Sequence, residues 1–163
     1  MIIITTQCFY PTIGGIEALM TGMAAAMHES GKDILVIADG KKDESDESKA
    51  YSIKRFNGWK PIRRIKKARY IDQLCNTSNI EAIYADSWKS IEYLKNINVP
   101  IFVLAHGTEI QKNINNLNFY KKIKQKRIFS SYNKSKKILA NSNYTKELIK
   151  ESLKIDANKI NII

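Results

Sequence analysis

Three short stretches carry the residue types that bind or move charged groups. His106-Gly107-Thr108-Glu109 places an imidazole directly after a near-continuous apolar run, Ile101-Phe102-Val103-Leu104-Ala105. A titratable group at that point suits ligand contact or proton transfer, although a single histidine also serves purely structural ends. Phe9-Tyr10-Pro11-Thr12-Ile13-Gly14-Gly15-Ile16-Glu17 puts a glycine pair between the β-branched run Ile2-Ile3-Ile4 and a helical pattern. A helix starting just after a strand aims its unpaired N–H groups and partial positive charge at one point. Glycines there let a phosphate approach the backbone closely. The pair is equally readable as a tight turn, because it is neither a G-x-G-x-x-G fingerprint nor a P-loop. Asp86-Ser87 and Asp39-Gly40 end two further apolar runs. Neither Cys8 nor Cys75 lies at metal-ligand or redox spacing, and His28 has no second ligand nearby, so no metal is expected.

These groups converge only if the runs are parallel strands of one sheet. Ile16, Leu19, Met20, Met23 and Met27 recur at helical spacing, and Gly31 ends that helix. Asp33 to Ala38 reads as a buried strand, Lys41 to Lys49 as a charged loop, and Tyr51 to Phe56 as a strand near the sheet edge. Pro61 opens a helix to about Cys75, with Ile62, Ile65, Ala68, Ile71 and Cys75 on its apolar side. Ile80 to Ala85 is a strand, and Ser87 caps a helix carrying Trp88, Ile91 and Leu94. Val99 to Ala105 is a strand, a basic helix lies between Asn115 and Tyr132, and Lys137 to Ala140 is a strand. Ser142 caps a helix from Asn143 to Leu153, and Lys159 to Ile163 begins a last strand. Strands alternating with helices make one α/β domain over residues 1–163, a mainly parallel sheet covered on both faces with right-handed crossovers. Ligands of such sheets bind beyond the carboxyl ends of the strands. Gly14, Gly15, Asp86, His106, Gly107 and Glu109 all fall on that rim.

The chain has 163 residues and a net charge of +11, from 27 Lys and Arg against 16 Asp and Glu. An anionic partner follows. The helix after Pro61 is dense in basic residues, with Arg63, Lys66 and Lys67 opposite its apolar side and Trp59 just before it. Those four residues read either as a solvated face or as a contact with anionic lipid head groups. Nucleic acid is not an expected partner, since no nucleic-acid motif accompanies the charge. No apolar run is long enough for a membrane span, and the first residues do not form a signal peptide, so a cytoplasmic location is expected.

The glycine-pair segment, His106-Gly107-Thr108-Glu109 and Ile138-Leu139-Ala140-Asn141-Ser142-Asn143-Tyr144-Thr145-Lys146-Glu147 together resemble the N-terminal domain of retaining GT4-type glycosyltransferases. The resemblance spans nearly the whole chain. It implies a Rossmann-like domain that forms half of a GT-B fold, with a nucleotide-sugar bound between two such halves. By position, Gly14 and Gly15 would offer N–H groups to the donor diphosphate, and His106 would lie at the catalytic centre beside the donor sugar. Glu17, Asp86, Gly107 and Glu109 would lie near the acceptor or sugar. The donor is a substrate, and no cofactor or metal is implied, because N–H groups and basic side chains stabilise the departing diphosphate. The acceptor would be a glycan or lipid-linked molecule of cell-surface polysaccharide or glycolipid synthesis, with an anionic membrane surface as a further partner. Members of the family carry a second, donor-binding domain with a Glu-x7-Glu motif, and no two glutamates of this chain are eight apart. The donor half is therefore expected in cis or in trans, and the chain alone is expected to be inactive. The competing reading is a noncatalytic module that binds an anionic glycan or phosphorylated ligand on the same rim.

Overall fold

The computed structural model describes residues 1–95, 97–112 and 118–163. The expected start of the basic helix near Asn115 lies outside the described residues. Seven strands form one sheet: β1 (Ile2–Thr6), β2 (Ile34–Asp39), β3 (Ser52–Phe56), β4 (Ala82–Ala85), β5 (Ile101–Ala105), β6 (Lys137–Ala140) and β7 (Ile160–Ile162). Their order is β3-β2-β1-β4-β5-β6-β7, and every pairing is parallel. The helices are α1 (Gly15–Glu29), α2 (Lys60–Thr77), α3 (Trp88–Ile91), α4 (Phe119–Lys134) and α5 (Asn143–Leu153). The expected Rossmann-like α/β domain is what the chain forms.

Period-two alternation divides the strand residues between the sheet's faces. Ile2, Ile4, Val36 and Ala38 pack with Met20 and Ala24 of α1. Ile3, Ile37, Ile83 and Val103 pack with Ala68 and Ile71 of α2, Trp88 and Ile91 of α3, and Ile128 and Tyr132 of α4. β1 lies between β2 and β4, so the chain builds outward to β3 on one side and then crosses to β4 on the other. That reversal falls between the ends of β1 and β4, where such sheets open a crevice.

Three expectations need correction. Leu19 is 45% exposed, so the buried side of α1 is narrower than its apolar sequence pattern. α3 is a single turn; Ser87 precedes it without a side-chain cap bond, and Leu94 is buried beyond its end. α2 is rotated from its expected orientation: Ile62 is 49% exposed, whereas Lys67 is 2% exposed. Lys67 Nζ donates to the Thr6 carbonyl at 2.6 Å and to Asp39 Oδ1 at 2.9 Å. Arg63, one turn earlier, reaches Asp39 Oδ2 at 2.8 Å as an ion pair. A carboxylate buried at the end of β2 requires such partners, and the Lys67 methylene stem packs where an apolar residue would otherwise lie. Arg63 and Lys67 therefore face the sheet and cannot meet lipid; Trp59 and Lys66 remain exposed.

Two of the motifs meet through a glycine. Gly107 has φ +82, and a Cβ on it would lie 2.6 Å from Thr145 Oγ1 at the start of α5. Both the backbone conformation and the close approach exclude a larger residue. Gly107→Ala is expected to lower unfolding free energy by about 1–3 kcal/mol in urea denaturation. Gly15→Ala, with neither positive φ nor a neighbour within 4 Å, is expected to cost nothing measurable.

Candidate functional site at the carboxyl rim of the sheet

The residue just past β4 organises the rim. Asp86 is 2% exposed, and its carboxylate is surrounded by donors from both sides of the strand reversal. Oδ2 accepts from Thr6 Oγ1 at 2.9 Å and from the Gln7 backbone N–H at 2.7 Å. Oδ1 accepts from Ser90 Oγ at 2.6 Å and Ser87 Oγ at 3.2 Å. Hydrogen bonds to a charged acceptor are worth about 1.5–3 kcal/mol each, so this carboxylate fixes the end of β1 against the start of α3.

The Asp86 backbone carbonyl also meets His106 Nε2 at 2.8 Å. A carbonyl can only accept, so Nε2 carries the imidazole proton and Nδ1 presents a lone pair. Glu109 braces the same loop: its Oε1 accepts from the His106 backbone N–H at 3.3 Å and from the Tyr132 hydroxyl. Burial first, and then the Glu109 charge, holds the Tyr132 phenol well above its ordinary pKa, so it remains a donor.

Gln7, Cys8, Ile16, Asp86, Ser87, Lys89, His106, Thr108 and Glu109 line a cleft of about 210 Å³ with Trp88 in its wall. Gly14 and Glu17 line a separate hollow of about 260 Å³ with Tyr10, Thr12 and Ile13. The structure thus brings Asp86, His106 and Glu109 into one cleft, with Gly107 behind it packed on α5, and places the glycine pair next door. Neither glycine lies in the left-handed region, so a turn does not demand them. What they provide is room: Gly15 has nothing within 4 Å of a Cβ position, and a Cβ on Gly14 would run into the Glu17 carboxylate. The Glu17 carboxylate therefore folds back over the start of α1. An anion reaching those N–H groups must displace it.

The loop before the glycines is clamped from β3. Arg55 pairs bidentately with Asp46, at 2.7 and 2.6 Å, and also donates to the Tyr10 carbonyl. Phe9 is buried beneath it. The sequence does not show this anchor because Arg55 and Asp46 read separately, as part of an edge strand and of a charged loop.

Among the described residues, no group of three or more His, Cys, Asp or Glu could hold a metal ion, and no helix is long and apolar enough to cross a membrane.

An all-parallel α/β sheet with a cleft at its carboxyl edge defines a domain of the doubly wound, Rossmann-like class. Residues 13–163 match Glycosyltransferase Family 4, and the chain belongs to that family. Its fold is similar to a glycosyltransferase from Rickettsia africae ESF-5, with a TM-score of 0.65 and 20% identity over 99% of this chain and 42% of that one. It is also similar to Anabaena HepE, solved with UDP and glucose, with a TM-score of 0.66 and 15% identity over 100% of this chain and 44% of that one. A UDP-GlcNAc 2-epimerase from Methanocaldococcus jannaschii has the same fold, with a TM-score of 0.67 and 14% identity over 100% of this chain and 45% of that one. The chain thus spans less than half the length of these structures. No curated protein matched in sequence.

Cys8 reports the charge of the cleft. Burial, then Asp86 and Glu17, pushes its thiol up to about 11. In a Cys75→Ser chain, iodoacetamide alkylation of Cys8 is expected to be slow at pH 8 and to keep rising towards pH 11. A rate that levels off below pH 9 would contradict this electrostatic picture.

Proposed function

We propose that this chain is the acceptor-side half of a retaining glycosyltransferase. In this reading it moves a sugar from a nucleotide-sugar to a glycan or lipid-linked acceptor in cell-surface polysaccharide or glycolipid synthesis. The observation that carries the reading is the cleft at the strand reversal, where His106 is held by the Asp86 carbonyl in a chain of this family. The acceptor hydroxyl attacks the anomeric carbon, the bond from that carbon to the diphosphate oxygen breaks, and the hydroxyl proton leaves with the diphosphate. His106 Nδ1 offers an acceptor for a sugar hydroxyl, which orients the ring. The open space at Gly15 and the start of α1 receive the diphosphate once Glu17 swings aside, with N–H groups rather than a metal countering its charge.

The second domain stands across the rim, in cis or in trans. Exposed Tyr10, Ile13, Trp59 and Tyr144, all just past strand ends or at helix starts, suit burial by such a neighbour. The reaction belongs in the cytoplasm. Of the surface first read as lipid-facing, only Trp59 and Lys66 remain to support a membrane contact.

Three measurements test this reading. The 163-residue chain alone is expected to release no nucleotide from nucleotide-sugars. Joined to its donor half, the His106→Ala enzyme is expected to lose about a hundredfold or more in kcat. Gly15→Val is expected to raise donor KM and lower kcat while the thermal midpoint stays unchanged. Unaltered kinetics in both variants would return the rim to the noncatalytic binding reading, and turnover by the chain alone would contradict the two-half arrangement.

A further inference from the structure

A helix that covers a sheet normally turns its polar residues to water, and α4 does not. Gln125, Ile128, Ser131 and Tyr132 are its buried side. Helical spacing puts Phe119, Ile123, Lys126 and Ser130 opposite them, so the outermost stripe begins with an aromatic ring and a branched aliphatic chain. Phe119 is 73% exposed, and Tyr120 beside it is 82% exposed. Their rings meet edge to face at 6.1 Å, and Ile123 one turn on is exposed as well. Packing within the domain leaves all three in water.

The same helix carries Lys121, Lys122, Lys124, Lys126, Arg127 and Lys134 and neither Asp nor Glu. The last two serve the fold: Arg127 pairs with Glu92, and Lys134 donates to the carbonyls of Ile91, Glu92 and Leu94. Among the described residues, the four lysines nearer the start of the helix form no ion pair. Lys122 and Lys126 line a hollow of about 340 Å³ between α4 and α5 with Phe129 and Leu153, which sets two cationic side chains beside apolar surface. A protein partner covering this patch would take those ammonium groups out of water, and the cores of protein interfaces are depleted in lysine for that reason. A lipid surface makes no such demand. Rings settle at head-group level there, while lysines stay hydrated on their long stems and meet the lipid phosphates.

We propose that α4 docks the domain on an anionic membrane, with Phe119, Tyr120 and Ile123 entering the head-group layer and Lys121, Lys122 and Lys126 meeting its phosphates. The helix starts on the carboxyl side of the sheet, as the crossover from β5 to β6 requires. Its inner side is tied to the His106 loop, because Gln125 Nε2 donates to the Glu109 carbonyl at 3.1 Å and the Tyr132 hydroxyl donates to the Glu109 carboxylate. Docking through the outer side therefore keeps the cleft close to the lipid. That a lipid-linked acceptor reaches His106 from there rests on the transferase reading; the docking does not.

The test floats the 163-residue chain with phosphatidylcholine vesicles, with and without phosphatidylglycerol. Binding is expected only with the anionic lipid and falls as salt is raised. Lys122→Gln with Lys126→Gln is expected to weaken it about twentyfold, and Phe119→Ser with Tyr120→Ser by about tenfold or more. Lys41→Gln with Lys54→Gln, an equal loss of charge at exposed positions near the β3 edge of the sheet, is expected to leave it nearly unchanged. Phe119→Trp in a Trp59→Phe chain reads insertion directly, through a blue shift of its emission on the anionic vesicles. Every substituted side chain is exposed, so each variant is expected to keep the parent's thermal midpoint. Equal binding to both kinds of vesicle, binding to neither, equal weakening by the Lys41 and Lys54 pair, or an unshifted emission would overturn docking through α4. Self-association abolished by Phe119→Ser with Tyr120→Ser would overturn it in favour of a second copy, and loss of vesicle binding on joining the donor half would overturn it in favour of that half. None of these outcomes bears on whether the completed enzyme transfers sugar.

Discussion

The domain turns on one buried carboxylate. Asp86 lies where the strand order reverses, and its two oxygens draw donors from the end of β1 on one side and α3 on the other. Its carbonyl then sets the His106 tautomer across to β5. Parallel strands end in backbone groups that the next crossover does not satisfy, and a cleft needs those ends held apart but rigid. Asp86 does this from within the cleft wall. Replacing it by an apolar residue would strand the Gln7 N–H and the Ser90 hydroxyl, each costing about 1–3 kcal/mol if left buried and unpaired, whereas the Thr6 hydroxyl keeps the Cys8 carbonyl.

A second buried charge supports the first. Lys67 ties α2 to Asp39 and to the carbonyl of Thr6, the residue whose hydroxyl meets Asp86. α2, β1, β2 and β4 are thereby joined through polar contacts at one end of the sheet, while apolar packing holds the rest. Burial lowers the Lys67 pKa, and Asp39 beside it opposes that shift. The ammonium stays useful because the carboxylate and the carbonyl replace its water. The basic charge of the chain is thus partly structural.

The order of elements was legible in the sequence because parallel strands buried on both faces read as apolar runs, and each run ended in a recognisable polar residue. The rim residues Asp86, His106 and Glu109 were legible for the same reason. The direction in which α2 faces was not: Arg63 and Lys67 look solvent-directed on a helical projection, and only the position of Asp39 in space shows otherwise. The glycine pair was legible as a close-approach loop, yet its Glu17 cover and its separation from the His106 cleft depend on side-chain placement. The contact of Gly107 with Thr145 joined two motifs that are 38 residues apart in the chain and carry no local sign of each other.

The central claim is that Asp86 presents a preorganised histidine to the cleft, with its proton on Nε2. Long-range ¹⁵N–¹H correlation of the imidazole nitrogens reads this directly in the unmodified chain. The account requires His106 to show a protonated Nε2 and a bare, pyridine-like Nδ1 at a pH where the ring is neutral. A proton on Nδ1, or an averaged pair of nitrogens from a ring exchanging between tautomers, would contradict it.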